Sequence, residues 1–204
     1  MFGTVAGMAV AELRTRVAPL VTADARSLPV AGPLGELLPY GGVRRGATIA
    51  VDGPLGAGAT SVALTLAAAA TATGEWAAVV DPTATFGARA AASAGVELER
   101  CALVRRVPAD KWPTVVAALL DGVALVVGAV PARLRPGDAR RLIAKARERA
   151  AVLVALGPWP AEAAMRVRVE GSAWEYDGSG RFLTRELDVR VEGRGAPVAA
   201  RLAG

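Results

Sequence analysis

From Gly46 onward, short apolar runs alternate with stretches of helical spacing. Residues 47–52 predict a β-strand, followed by a glycine-rich turn and an Ala/Leu-rich helix over 60–73. The same pattern predicts strands at 76–80, 102–105, 124–127 and 151–156, with helices at 89–94, 112–120 and 138–150 between them. Continuous apolar strands separated by helices belong to parallel β-α-β units, so the expected fold class is α/β with a mostly parallel sheet flanked by helices. After Pro160 the texture changes: 166–170, 173–176 and 182–192, with a turn at 177–180, predict a C-terminal antiparallel extension, its period-two alternation plainest in Leu187-Asp188-Val189-Arg190-Val191-Glu192. Before the alternation, 8–20 spaces Val10, Leu13, Val17 and Leu20 as one narrow stripe on a short helix limited by Pro19. That candidate assembly helix can pack on the domain or dock on a neighbouring subunit or partner, and both readings stay open. Residues 22–42 read as irregular linker with turns at Gly32-Pro33 and Gly41-Gly42. The expected division is an N-terminal helix and linker (1–36), a core domain (37–192) and a C-terminal tail (193–204).

With 53% hydrophobic and 21% charged residues, the chain can build one full-sized core. Asp81 and Asp121 interrupt the greasiest stretches, so no run reaches the roughly 18 apolar residues of a spanning helix. The start of the chain lacks the basic opening of a secretory signal and Cys101 is the sole cysteine, from which a cytoplasmic location and no membrane association are expected. The absence of histidine, with that single cysteine, removes the usual zinc ligands and the usual general base. No metal site and no serine triad are expected, and Cys101 reads as an inert small residue.

Gly53-Pro54-Leu55-Gly56-Ala57-Gly58-Ala59-Thr60 has the spacing of a phosphate-binding loop, G-x-x-x-x-G-K-[ST], between a strand and a helix. The lysine position holds Ala59. Backbone N–H groups and the hydroxyls of Thr60 and Ser61 remain at a helix N-terminus, which leaves room for weak ATP or ADP binding but removes the strongest charged contact. The competing reading of the glycines is a tight strand-to-helix turn.

The surrounding segments resemble the RecA family. Leu37-Leu38-Pro39-Tyr40-Gly41-Gly42-Val43-Arg44-Arg45-Gly46, with Ile49-Ala50-Val51-Asp52-Gly53-Pro54, is similar to that family's glycine turn and the strand leading to its nucleotide loop. Val79-Val80-Asp81-Pro82-Thr83 resembles the strand ending in the family's D-A-E, and Ala94-Gly95-Val96-Glu97-Leu98 with Ala102-Leu103-Val104 resembles its L-G-V-D and next strand. The likeness spans about 37–192 and implies a RecA-like core. Against that pattern three charged groups are missing: the loop lysine is Ala59, the water-polarising glutamate is Thr83, and the Walker B strand runs into Gly128 where a metal-organising aspartate would stand. Asp52, Asp81 and Asp121 lie nearby, Asp81 beside the glutamate position and not at it. Phosphoryl transfer is catalysed almost wholly by positioned charge, so this pattern implies a pseudo-ATPase with no catalytic residues and no resident cofactor. The two segments that in the family contact single-stranded DNA are also reduced here, to the proline-stiffened 129–137 and the short 157–162, which argues against a filament-forming recombinase.

Charge is localised. The chain carries 22 arginines and two lysines against 19 acids, net +5, and 131–150 alone holds seven bases (Arg133, Arg135, Arg140, Arg141, Lys145, Arg147, Arg149) against Asp138 and Glu148. The rest of the chain balances. On the 138–150 helix, Leu142, Ile143, Ala146 and Ala150 fall on one arc and the bases on the other, with Asp138 suited to cap the first turn. This is either a solvated face or a contact for a DNA backbone or acidic partner, the latter including Arg133 and Arg135. Trp76 and Trp112 read as core, whereas Trp159, between two prolines, reads as a contact residue.

Degenerate nucleotide motifs on a RecA-like core resemble ImuA, including its ImuA-prime branch. The resemblance implies an accessory component of a damage-inducible mutasome in the SOS response, acting in translesion synthesis, mutagenesis and DNA repair. Its implied partners are an ImuB-like pseudo-polymerase, a DnaE-type polymerase or RecA, with weak single-stranded DNA binding and self-association as further expectations. The SulA branch, a cell-division inhibitor binding FtsZ, is one alternative. A weak ATPase using Arg44 or Arg45 in place of the lysine is the other.

Overall fold

The computed structural model describes residues 26–179, 182–193 and 197–203. In chain order the elements are β1 (Ser27–Pro29), α1 (Pro33–Leu37), β2 (Gly42–Arg44), β3 (Thr48–Asp52), α2 (Ala59–Ala72), β4 (Ala77–Asp81), α3 (Ala88–Ser93), β5 (Cys101–Arg105), α4 (Trp112–Leu120), β6 (Leu125–Ala129), α5 (Pro136–Glu148), β7 (Val152–Leu156), β8 (Met165–Tyr176), β9 (Phe182–Glu192) and β10 (Val198–Ala203). The candidate assembly helix with Val10, Leu13, Val17 and Leu20 lies outside the described residues.

One sheet of eight strands organises the molecule, in the order β10-β9-β8-β3-β7-β6-β4-β5. Every neighbour pair from β8 to β5 is parallel, and β8-β9 and β9-β10 are antiparallel. The fold class expected from the alternation is therefore present as an α/β protein with a mostly parallel sheet and an antiparallel end. One expectation is corrected: 165–168 is not the first strand of a purely antiparallel extension but runs parallel to β3, Ile49 facing Met165 and Asp52 facing Arg168. β8 is the hinge strand of the sheet, parallel on one edge and antiparallel on the other.

The parallel strands are apolar without interruption because both faces are covered. On one face Ile49, Val51, Val79, Val127, Val152 and Val154 pack with α2 in a large apolar cluster; on the other Ala50, Ala78, Val126, Leu153 and Ala155 pack with α4 and α5. The cluster on the second face is rich in alanine, Ala50, Ala78 and Ala155 on the strands and Ala139 and Ala146 on α5, and two indoles, Trp112 and Trp159, are packed into it. Expected and observed helices agree within one or two residues for α2, α3 and α4.

The structure corrects other expectations. The segment read as irregular linker, 22–42, carries β1 and α1 and enters β2, and its Leu28, Val30, Leu34 and Leu38, with Val43 just beyond it, are buried in the α2-side cluster. The segment read as a tail supplies β10, which pairs with β9 from Val198 to Ala203. Trp76 is 49% exposed and Trp159 only 5%, the reverse of their sequence-based assignments, while Trp112 is fully buried as expected. Trp76 precedes β4 at the rim of the sheet, whereas the shortened 157–162 loop folds Trp159 inward onto the alanine face. Helix α5 begins at Pro136 with Arg135 at its N-cap, so Asp138 does not cap it but stands in its first turn, where a carboxylate complements the helix dipole. Ala150 leaves the apolar arc altogether: it lies beyond the helix end, exposed and left-handed at φ 53°. Ala139 takes its place among the buried residues, and Ile143 is half-buried at the margin.

Candidate functional site

The glycine loop connects the carboxyl end of β3 to α2, with β7 on one side of β3 and β8 on the other. Gly56 (φ +81°) and Gly58 (φ +116°) adopt left-handed conformations that only glycine takes without strain, and Gly58 is the N-cap of α2, with no side chain capping the helix. Ala57 N–H closes a turn on the Pro54 carbonyl at 3.0 Å, Leu55 projects fully into solvent, Thr60 is exposed and Ser61 half-buried. The local arrangement is a strand, a glycine turn and a helix. Ala59, half-buried at the first helical position, supplies no charge.

A cation does reach this loop, from a place the motif does not contain. Arg185 on β9 donates through Nη2 to the Gly56 carbonyl and, at 3.1 Å, to the Ser172 hydroxyl, and its guanidinium lies 5.0 Å from the centroid of the Trp174 ring. Leu187 and Arg185 crowd Gly58: a Cβ there would stand 2.6 Å from Leu187 Cδ2 and 3.4 Å from Arg185 Cζ. The alternation of Leu187, Val189 and Val191 held the signal for this, since parity places Arg185 on the same inward face. The two arginines considered as lysine substitutes are placed otherwise. Arg44 is exposed on β2, and Arg45 is engaged with Glu75 by two hydrogen bonds that, with the attraction between the charges, raise its pKa above the ordinary value against the opposing effect of burial.

Thr83 and Gly128, the other two positions at which the sequence departs from the RecA pattern, lie at the ends of neighbouring strands, and each has a structural partner. Thr83 donates to Asp81 Oδ1 at 3.1 Å, while Oδ2 of the buried Asp81 accepts from the Phe86 N–H at 2.7 Å. Asp81 is thereby the organiser of the turn after β4. Gly128 on β6 lies beneath the fully buried ring of Trp112, and a Cβ on it would come within 2.6 Å of Trp112 Cζ2. Asp52, at the end of β3, is taken by Arg166 at 3.2 Å and Arg168 at 3.1 Å. A shallow cleft of about 590 Å³ opens beside it, between Gly53-Pro54, Gly157-Pro158 and Arg168. Among the described residues no group of three or more His, Cys, Asp or Glu side chains could hold a metal ion. Burial pushes the Cys101 thiol pKa up, away from the reactive thiolate.

The seven bases of the 131–150 segment divide into two sets. Arg133, Arg135, Arg140, Arg141 and Arg147 are exposed, Arg141 standing 3.8 Å from Asp138 one helical turn back. Lys145 and Arg149 instead converge on Asp121 at the end of α4, each at 2.7 Å, and clip α5 to α4. Trp159, grouped with these bases as a contact, is buried and takes no part in the surface. The Lys145 hydrogen bond and the Arg149 charge hold the Asp121 carboxyl below its ordinary pKa. A carboxyl depressed on folding contributes stability that is complete above its unfolded pKa of about 3.9 and is lost as pH falls through the folded value. Asp121→Asn should therefore lower the melting temperature near neutrality and lose that effect as the medium is acidified through the depressed pKa of the folded carboxyl. Equal effects of the substitution at both ends of a pH series of thermal melts would mean that the clip contributes nothing through charge.

A family model described as the MT3502 N-terminal domain matches residues 36–161. The matched stretch runs from the end of α1 through the glycine loop, all five central parallel strands and the basic helix to the loop that buries Trp159; β8, β9 and β10 lie beyond it. No curated protein matches the chain.

Proposed function

The chain belongs to the MT3502 N-terminal domain family, and on that premise we propose that it is a catalytically inactive RecA-like accessory protein, acting through protein contacts in the DNA damage response. The observation that carries this reading is the Trp112 ring against Gly128. An aspartate that organises a metal needs a side chain at that strand end, and the core has given the space to an indole. Thr83, bound to Asp81, and Ala59 complete a set of three positions at which catalytic charge is replaced by packing or turn structure. Losing one such group can be compensated; losing all three leaves positioned charge at none of the points where phosphoryl transfer needs it. The RecA-like part of the reading is supported by the order of the motif-bearing segments and by a glycine loop at the carboxyl end of a central parallel strand.

Within this reading the protein is an ImuA-like mutasome component in the cytoplasm, and its partners are an ImuB-like pseudo-polymerase, a DnaE-type polymerase or RecA. Five exposed arginines on and before α5 form the surface suited to an acidic protein or to single-stranded DNA. The test has two arms. Purified protein should hydrolyse no ATP above buffer background, and Ala59→Lys should remain silent because the Thr83 and Gly128 positions stay empty; wild-type turnover abolished by Thr60→Ala would sink the pseudo-ATPase reading. In the second arm, the protein should co-purify with an ImuB-like pseudo-polymerase and not with FtsZ, the reverse result favouring the cell-division alternative.

A further inference from the structure

We propose that β9 shuts the old phosphate loop from within, so that Leu187 and Arg185 occupy the ground against Gly58 that a phosphate would need and the loop now seats the β8–β9 arm. The inference rests on reading 53–60 as a former phosphate loop and deepens it. Glycine stands in such loops so that a ligand can approach the backbone without meeting a Cβ. Here the approach to Gly58 is made by the protein itself, the nearest atoms being Leu187 Cδ2 and Arg185 Cζ. Gly53, at the other end of the loop, is approached in the same way by β8, where a Cβ would lie 2.5 Å from the Val169 carbonyl oxygen.

Electrostatics identify what holds the arginine there. A guanidinium at the amino end of α2 meets the positive end of the helix dipole and gains nothing from it. Its position is owed to acceptors and a ring: the Gly56 carbonyl on the loop, the Ser172 hydroxyl on β8 and the face of Trp174. Through Arg185 and Trp174 those contacts join the loop to the part of the hairpin that most needs support, while Ser172 anchors them on the three-stranded part of the sheet. β3 pairs with β8 only as far as Arg168, and β10 pairs with β9 only as far as Glu186, so 174–176 and 182–185 project as a two-stranded arm. Two strands alone are marginal in water, and the Arg185 clamp tethers them to the sheet.

The closure is read by titrating inorganic pyrophosphate and Mg-ADP into the full chain by calorimetry, with Ala59→Lys as the background that restores the missing charge. Ala59→Lys alone should gain little affinity, whereas Ala59→Lys with Arg185→Ala should bind about tenfold more tightly if the closed form outweighs the open one by about ten to one. Amide hydrogen exchange of 56–61 provides a second readout on Arg185→Ala alone, which should exchange faster there while the β6 and β7 amides stay protected. Equal affinity of the two Ala59→Lys proteins would overturn the closure. Wild-type protein that binds pyrophosphate and loses it on Arg185→Ala would also overturn it, making Arg185 a ligand and not a plug. Neither result touches the absence of hydrolysis, which fails only on wild-type turnover.

Discussion

Gly128→Asp, which puts an acid where the proposed RecA-like pattern has its metal-organising aspartate, is expected to destabilise the fold by more than about 4 kcal/mol, enough to leave little native protein. Two effects add. The new Cβ would lie 2.6 Å from Trp112 Cζ2, and the indole has no free direction, being fully buried between α4 and the alanine face; overpacking of this kind costs about 1–3 kcal/mol. The carboxylate would then be buried in an apolar cluster with no cation beside it, a penalty of several kcal/mol more unless it takes up a proton. Gly128→Ala isolates the steric part and should cost about 1–3 kcal/mol. Trp112→Leu, damaging alone, should recover part of that loss when combined with Gly128→Ala, because residues in contact couple. Urea unfolding of the four proteins reads the cycle. Native-like stability of Gly128→Asp would mean that the indole moves aside easily, and the principal support for an inactive site would be gone.

Replacing Arg133, Arg135, Arg140 and Arg141 together by alanine should remove single-stranded DNA binding with little change in the melting temperature. All four side chains are exposed, and among the described residues only Arg141 has a carboxylate partner, Asp138 at 3.8 Å, in a surface pair worth under about 1 kcal/mol. Binding through phosphates is driven by counterion release and weakens as salt rises, with a slope of about 0.7 per neutralised phosphate on single strands, so loss of four contacts lowers the log–log slope by roughly three. Lys145 and Arg149 are the internal control. Their charges are committed to Asp121, so Lys145→Ala should alter the melt at neutral pH and barely move the salt slope. Fluorescence anisotropy of a labelled oligonucleotide over a salt series distinguishes the two sets. If the fourfold variant keeps the wild-type slope, the exposed arginines are a solvated face and any contact with DNA lies elsewhere.

Much of the fold was legible in the pattern of side chains, for a reason that can be given residue by residue. A strand buried on both faces must be apolar throughout, as in Ile49-Ala50-Val51 and Val152-Leu153-Val154-Ala155, and a helix with one dry face must repeat its apolar positions at three and four, as in Leu142 and Ala146. Those are local rules, and they placed the central helices and strands to within a few residues. They failed where partners came from far away. Leu28 and Val43 lie in a stretch without periodicity because three-residue strands are too short to show one, and only the two-stranded pairing on α2 makes them core. Arg166 to Glu170 alternates as any one-sided strand does, and nothing in that alternation reveals that its neighbour is the parallel β3.

The candidate site divides along the same line. The departures from the RecA pattern at Ala59, Thr83 and Gly128, on which the proposed inactivity rests, are properties of the amino-acid types and readable without coordinates. What fills the vacated places is decided by tertiary structure alone: Trp112 comes from a helix sixteen residues before Gly128, and Arg185 reaches the loop from a strand far along the chain. The same holds for charge. The sequence by itself determined that all of the surplus lies in 131–150, because charge is a sum over residues. Only the packing of α4 on α5 decided that Lys145 and Arg149 share Asp121 as their partner while the other five bases do not, because a Coulomb interaction depends on distance in space, and distance along the chain does not set it.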